Sequence, residues 1–503
     1  MGKKDTTSEK TFDRPPVIAI VGHIDHGKST LLDHIRKSNI VDGEAGGITQ
    51  HVSAYEVSHK DKEGTEKKIT FIDTPGHSAF MSSRRHGVNI ADIAILIVSA
   101  EDGVKDQTKE SLKLIKESDV PFIVAINKVD KPNANSNKVK QELAEVEVLV
   151  EGYGGKVPVV EISAKTGQGI EELLDIILLL SEIEENLYSK TPQAEGFVLE
   201  GHIDPKAGIT GVFVIKNGVL KVGDYIVIDE VASKIKRLTT TNGELVKEAS
   251  PSTPVQLIGL SSLPVSGSLF YSTNDKKKIK KLTGKRGGNL QNFEKQKIEE
   301  DQAILPLVIK ADTQGTLDAI CSAVTTLSSE RLTIKILSSG IGNINEADMH
   351  FAASATETII IAFNVGIDKT AEDASRNQDT KTEFFDVIYK ITEYLEPIAK
   401  TRTPILRVEE EVGRAKIIKI FNKQTKNKQL IGAHVSSGNI YTKKKVNVIR
   451  NEHNIGTGRI TELQVEKSKK EEVEKGAQFG GLVESKITLA LGDILQVVEI
   501  VEK

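Results

Sequence analysis

The 503-residue sequence predicts a multidomain protein of mixed α/β and β class. The expected parts are a P-loop α/β domain, a β-barrel, an αβα layer domain, a long connecting helix and a second β-barrel. Three observations predict this. Near-continuous β-branched runs alternate with helical patterns over the first third of the chain, as in parallel sheets covered on both faces. A glycine-bracketed string follows the first of those runs and opens a helix. Short strands with regular turn signals then appear twice, on either side of a second alternating strand–helix region.

Composition narrows the classes. The formal net charge is -4, so no global field draws the chain to nucleic acid, and such a partner must be met by local patches. The lone cysteine, Cys321, excludes an intrachain disulfide and a cysteine-rich zinc site, which fits a reducing compartment. It lies in an apolar helical pattern and reads as core. The first residues are polar, carry both charges and lack the apolar stretch of a signal peptide. No apolar run is long enough to span a bilayer. The expectation is a cytoplasmic protein without membrane association, with residues 1–15 a disordered leader.

The α/β domain is placed at 16–190. Its strands are expected at 17–21, 69–73, 93–98, 122–127 and 159–163, with helices at 107–116, 138–150 and 170–180. Ligands of such sheets bind at the carboxyl ends of strands, and the motifs fall there. Gly22, His23, Ile24, Asp25, His26, Gly27, Lys28 and Ser29 match a phosphate loop. Its glycines let backbone N–H groups point inward at phosphate oxygens, and the following helix adds its positive end. Lys28 can reach the β- and γ-phosphates and the Ser29 hydroxyl can ligate Mg²⁺. Asp73, Thr74, Pro75, Gly76 and His77 follow the second strand. Asp73 can support the metal, and Gly76 lets the backbone approach a γ-phosphate.

The fourth strand ends in Asn127, Lys128, Val129 and Asp130, and the fifth in Ser163, Ala164 and Lys165. A carboxylate at 130 faces two adjacent donors on guanine and none on adenine, which selects GTP. The Lys128 stem can lie along the base, and a backbone N–H of 163–165 can meet the guanine 6-oxo group. Between loop helix and second strand lies a glycine-dense segment ending in Gly47, Ile48 and Thr49. Thr49 is the candidate to complete the Mg²⁺ shell, so the segment reads as a switch. His77 is the candidate catalytic group, swinging on Gly76 to position water, with Ile24 and Ile48 as an apolar gate. A metal cluster of His23, His26 and His77 is the competing reading of those histidines.

A β-barrel is expected over 191–274. The lysine-rich stretch 275–302 reads as a charged linker or exposed helix, either solvated or in contact with RNA phosphate. An αβα domain is expected at 303–380 and a connecting helix within 381–403, drawn from 382 to 400. The last barrel occupies 404–503. Ser437 and Gly438 echo Asn217 and Gly218, and Leu491-Gly492-Asp493 echoes Val222-Gly223-Asp224, so the barrels are expected to share a topology.

These motifs, with the string Glu44-Ala45-Gly46-Gly47-Ile48-Thr49-Gln50-His51, resemble the translational GTPases and, within them, bacterial-type translation initiation factor two. Ile309–Gly315 and Ser339–Glu346 resemble its third domain. The resemblance implies a GTP-bound factor that promotes joining of the large ribosomal subunit to a small subunit carrying initiator tRNA, and is released by hydrolysis on the ribosome. It implies both subunits and initiator tRNA as partners, a monomer off the ribosome, Asn127 and Asp130 as the residues that select guanine, and Asp25 as aid to a monovalent cation. The family's last barrel receives formylmethionyl-tRNA with cysteines in two loops. Here those places read Ala433 and Phe479, and a basic–basic–aromatic run reads Gln464, Val465 and Glu466. The alternatives are an aminoacyl-tRNA carrier of elongation-factor type and a ribosome-assembly or recycling GTPase.

Overall fold

The computed structural model describes residues 11–36, 49–184, 187–189, 193–204, 206–282, 303–329, 331–376, 381–403, 407–425, 427–466 and 468–502. Gly47 and Ile48, and with Ile48 the expected gate, lie outside them, as does most of the lysine-rich linker. The chain divides into two compact units, Met1–Arg402 and Thr403–Lys503.

The first unit opens on a six-stranded sheet. In chain order it comprises β1 (Val17–Gly22), α1 (Lys28–Arg36), β2 (Ser53–Lys60), β3 (Glu66–Asp73), α2 (Met81–Ile90), β4 (Ile93–Ser99), α3 (Asp106–Ser118), β5 (Phe122–Asn127), α4 (Ser136–Glu145), β6 (Val159–Glu161) and α5 (Ile170–Ile183). The spatial order is β2-β3-β1-β4-β5-β6, parallel except for β2. Leu31, Leu32 and Ile35 of α1 and Leu173 and Ile177 of α5 pack on one face. Val88, Leu112, Ile115, Val139 and Leu143 pack on the other. Every residue of β1 and β4 is buried, which is why those runs read clearly in sequence. β2 and α2 did not. β2 is an edge strand with a largely polar outer half, and α2 carries Arg84, Arg85, His86 and Gly87 through its middle.

The expected disordered leader is corrected at its end. Thr11–Asp13 pairs antiparallel with Leu187–Ser189. Arg14 places both terminal guanidinium nitrogens 2.6 Å from the Asp92 carboxylate, which Lys216 also reaches at 2.6 Å. Two cations from other segments on one buried carboxylate hold residues 14–16 against the sheet.

The barrel strands form an eight-stranded antiparallel sheet centred on Glu195–Asp204 and Gly208–Asn217. The next sheet has four parallel strands in the order Leu332–Ile341, Ala303–Ala311, Ile359–Phe363, Lys381–Phe385. Helices Gln314–Thr325 and Ile388–Arg402 cover one face, Glu346–Ala353 and Lys369–Arg376 the other. The connecting helix is therefore corrected too. Residues 381–385, with Thr382, Phe384 and Phe385, extend as the edge strand, and the helix begins only at Ile388. Its Ile388, Ile391 and Leu395 are buried on the sheet, so it is a layer of the αβα sandwich.

The second unit is a seven-stranded antiparallel sheet that closes because Lys445–Arg450 pairs with His453–Val465. Its strand order repeats that of the first barrel. In both, the turn after the second long strand (Asn217-Gly218, Gly438-Asn439) leads to a two-residue strand paired with a distant partner. The other echo is coincidence: Leu491-Gly492-Asp493 precedes the last strand, whereas Val222-Gly223-Asp224 follows the short one. Ala433 and Phe479 lie opposite each other and are buried in the barrel core.

Candidate functional site

The phosphate loop joins β1 to α1. Gly27 has φ +88°, and a Cβ there would lie 2.3 Å from Asn127 Nδ2, so only glycine lets the loop rest on the end of β5. Lys28 is buried, and its Nζ donates to the carbonyls of Gly22 (3.0 Å) and His23 (2.7 Å). Burial pushes its ammonium down to about 8. The Ile24 N–H donates to Gln107 Oε1 at 2.9 Å, fixing the loop from α3. The His26 ring faces the sheet, where the Ser99 N–H donates to its Nδ1 at 3.3 Å. Burial, with His23 beside it, pushes His26 down to about 4. It is a neutral plug beneath the loop. Among the described residues no group of His, Cys, Asp or Glu gathers to hold a metal, which removes the histidine-cluster reading.

Ser29, Thr49 and Asp73 do converge. Ser29 Oγ and Thr49 Oγ1 lie 2.7 Å apart, and the Thr49 hydroxyl points to Asp73 Oδ2 at 3.4 Å. Two hydroxyls and a carboxylate form a hard-oxygen set, the chemistry Mg²⁺ takes. A pocket beside them is lined by Lys28, Ser29, Thr49, Gly76, His77 and Tyr389. A Cβ at Gly76 would lie 2.5 Å from Lys28 Nζ, so the glycine keeps open the space that a terminal phosphate needs. The buried Thr74 hydroxyl ties the strand end to the Ile20 carbonyl at 2.9 Å.

The position of His77 owes much to residues that the motifs do not contain. Arg84, 1% exposed, donates to the carbonyls of Pro75 (3.1 Å) and His77. Burial, then the Arg84 charge, lowers the His77 imidazole below its ordinary value, so the ring is neutral near pH 7. Its Nδ1 accepts from the Ala79 N–H at 3.0 Å, which places the proton on Nε2. Tyr389, from helix Ile388–Arg402, meets the ring edge-on at 4.6 Å.

At the base end the roles divide. Asp130 is exposed, and the Ser163 hydroxyl donates to its Oδ1 at 2.7 Å, which holds the carboxyl below its usual range. Asn127 is buried and bridges two loops. Its Nδ2 donates to the His26 carbonyl (2.8 Å) and its Oδ1 accepts from the Ala164 N–H (2.9 Å). Its amide thereby couples the phosphate loop to the 163–165 turn. The Ala164 N–H is engaged there. Lys128 has φ +65° and its Nζ lies 3.5 Å from Asp102, while the Val129 N–H donates to Ile162 at 3.3 Å. Sequence reasoning missed Gln107, Arg84 and Tyr389, none of which carries a motif.

Where the three large sheets of the first unit meet, Glu200 is buried near His51, Asp312, His202 and Thr313. Burial pushes its carboxyl up to about 7, opposed by His51 and by the Thr313 hydroxyl. Between the ordinary carboxyl range and about 7 the unfolded chain gives up this proton and the folded chain keeps it. Stability therefore falls as pH rises through that window and levels above it. Glu200→Gln is expected to flatten this fall, gaining roughly 3 kcal/mol on the wild type by pH 7.5. Thermal unfolding of both proteins at pH 5 and 7.5 checks it; an equal difference at the two values would refute it.

Residues 14–182 match the family model of the elongation factor Tu GTP binding domain, 193–273 that of elongation factor G domain 2, and 279–396 that of translation-initiation factor 2. Translation initiation factor IF-2 of Desulforamulus reducens is 38% identical over 99% of this chain and 51% of its own length. That of Chlamydia caviae is 34% identical over 99% of this chain and 56% of its own length. The chain thus spans about half the length of these relatives. It covers 72% of the Bacillus cereus factor, at 38% identity over 97% of this chain. A crystal structure of GDP-bound aIF5B from Aeropyrum pernix is similar at 27% identity and TM-score 0.48, over 97% of this chain and 92% of that one. With a relative this similar covered over more than two thirds of its length, the chain belongs to the translation initiation factor IF-2 family.

Proposed function

We propose that this chain is a GTP-binding translation initiation factor that promotes ribosomal subunit joining with initiator tRNA and hydrolyses GTP on the ribosome. The observation that carries the reading is the convergence of Ser29, Thr49 and Asp73 within hydrogen-bonding reach of one another. Family membership and the pocket running to His77 support it.

In this reading the loop N–H groups and Lys28 hold the phosphates, and Asp130 with the Lys165 N–H holds guanine. Ser29, Thr49 and Asp73 would hold Mg²⁺, which neutralises charge on the phosphate oxygens when bound. Water attacks the γ-phosphorus, its P–O bond forming as the bond to the β–γ bridging oxygen breaks, and the water proton leaves with the phosphate product. His77 orients that water once it turns from Tyr389 towards the pocket. Asp25, at φ +61° in the loop, is the residue proposed to aid a monovalent cation. The C-terminal barrel is proposed to take initiator tRNA. The αβα domain that separates the two barrels along the sequence favours this reading over a tRNA carrier, in which barrels follow the nucleotide domain directly.

The test is GTP turnover with and without ribosomes, alongside subunit joining followed by light scattering with formylated and unformylated initiator tRNA. Ribosome-dependent turnover and accelerated joining are expected. Equal slow turnover in both conditions, or joining at the factor-free rate, would sink the proposal.

A further inference from the structure

Thr49 is followed by two side chains that leave their own sheet. Gln50 is buried, and its amide serves both backbone polarities at the start of helix Ile388–Arg402. Nε2 donates to the Asp386 carbonyl at 3.1 Å, and Oε1 accepts from the Ile388 N–H at 3.2 Å. His51 places Nε2 3.4 Å from Asp312 Oδ2 and Nδ1 4.0 Å from Glu200 Oε1. Asp312 follows the central αβα strand Ala303–Ala311, and Glu200 lies on the barrel strand Glu195–Asp204. A bridge between His202 and Thr313 joins these two sheets at the same point. The partners of residues 50 and 51 thus belong to the αβα sandwich and the barrel.

Thr49 itself meets Ser29 and Asp73, the two groups that would turn to Mg²⁺. A threonine shared between a metal and a neighbouring domain ties the two equilibria together. Whatever holds residues 50 and 51 lowers the entropic cost of bringing Thr49 to the metal. By reciprocity, a nucleotide that requires Thr49 tightens the αβα sandwich onto the nucleotide sheet by the same factor.

We propose that Gln50 and His51 are positioning residues for Thr49, so that the αβα sandwich and the barrel raise the affinity for GTP relative to GDP. This rests on Thr49 serving the metal of the GTP state, as argued above. GTP, with its γ-phosphate, needs the ordered threonine; GDP does not. The coupling runs through the two hydrogen bonds of the buried Gln50 amide and the contact of His51 with Asp312.

The experiment measures dissociation constants of fluorescent GDP and of a fluorescent non-hydrolysable GTP analogue across a Mg²⁺ titration. It uses the full chain, wild type, Gln50→Ala, His51→Ala, Thr49→Ala and Thr49→Ala/Gln50→Ala. Thr49→Ala is expected to weaken the GTP analogue and shift its Mg²⁺ requirement upward. Gln50→Ala should weaken the analogue about tenfold while GDP stays within about twofold, and the double variant should bind no worse than Thr49→Ala alone. Gln50→Glu, which keeps the acceptor for the Ile388 N–H and loses the donor to Asp386, should fall between wild type and Gln50→Ala.

If Thr49→Ala leaves the ratio of GTP-analogue to GDP affinity unchanged, the metal assignment fails. If Thr49→Ala lowers that ratio but Gln50→Ala and His51→Ala leave it at the wild-type value, the positioning role fails alone. Additive losses in the double variant, or equal loss of GDP and GTP analogue in Gln50→Ala, also overturn it, since either shows an effect that does not pass through Thr49.

Discussion

His77→Ala is expected to lower ribosome-stimulated GTP turnover by at least about a hundredfold while leaving GTP and GDP affinity within about twofold. The ring contacts no loop atom that would hold phosphate. Its Nδ1 accepts from the Ala79 N–H, and the ring stands edge-on to Tyr389 and Phe80. Removing it takes away a group needed once the water is in line, and a hundredfold corresponds to about 2.7 kcal/mol of transition-state stabilisation. The side chain also ends the 77–80 turn, but Arg84 holds the Pro75 and His77 carbonyls independently, so the backbone should survive the substitution. Single-turnover hydrolysis with and without ribosomes, beside equilibrium binding of both nucleotides, is the check. A variant that loses nucleotide affinity in step with turnover would show that His77 holds the ground state, and its role as a water-positioning group would have to be given up.

What could be read in the sequence was what lies contiguously along it. The phosphate loop, the 73–77 segment and the 127–130 and 163–165 turns each combine a strand end with a few specified side chains, and the buried runs of β1 and β4 fix where those ends fall. The αβα region and the repeated barrel were legible for a similar reason, since strand and turn periods are local. Contacts between distant segments were not. Tyr389 reaches His77 from more than three hundred positions away, and Gln50 reaches Asp386 across a sequence separation of 336. No local pattern encodes such a pairing. Asn127 adjoins Asp130, but adjacency in sequence does not reveal that its amide ties the His26 carbonyl to the Ala164 N–H. The connecting helix was drawn too long because 382–385 carries hydrophobics compatible with either period, and pairing with Ile359–Phe363 decided for a strand.

That division of labour between Asn127 and Asp130 leads to the sharpest expected effect on specificity. Asp130→Asn is expected to weaken GTP by about two orders of magnitude or more and to make the xanthosine triphosphate the better ligand. Guanine presents N1–H and a 2-amino group, both donors, to a carboxylate; xanthine presents a carbonyl at position 2, which a carboxylate repels and an asparagine Nδ2 can serve. The Ser163 hydroxyl can donate to an asparagine Oδ1 as it does to Asp130 Oδ1 at 2.7 Å, so the turn should hold its shape. The same bond keeps the Asp130 carboxyl ionised below its usual range, so GTP selection should persist into mildly acidic buffer. Asn127→Ala supplies the contrast: it cuts the tie between the phosphate loop and the 163–165 turn, and guanosine and xanthosine triphosphates should weaken together. Competition binding with GTP, XTP and ATP on both variants separates the two roles. An Asp130→Asn protein that still prefers GTP, or an Asn127→Ala protein that loses guanine alone, would mean that the base is read from the other side chain.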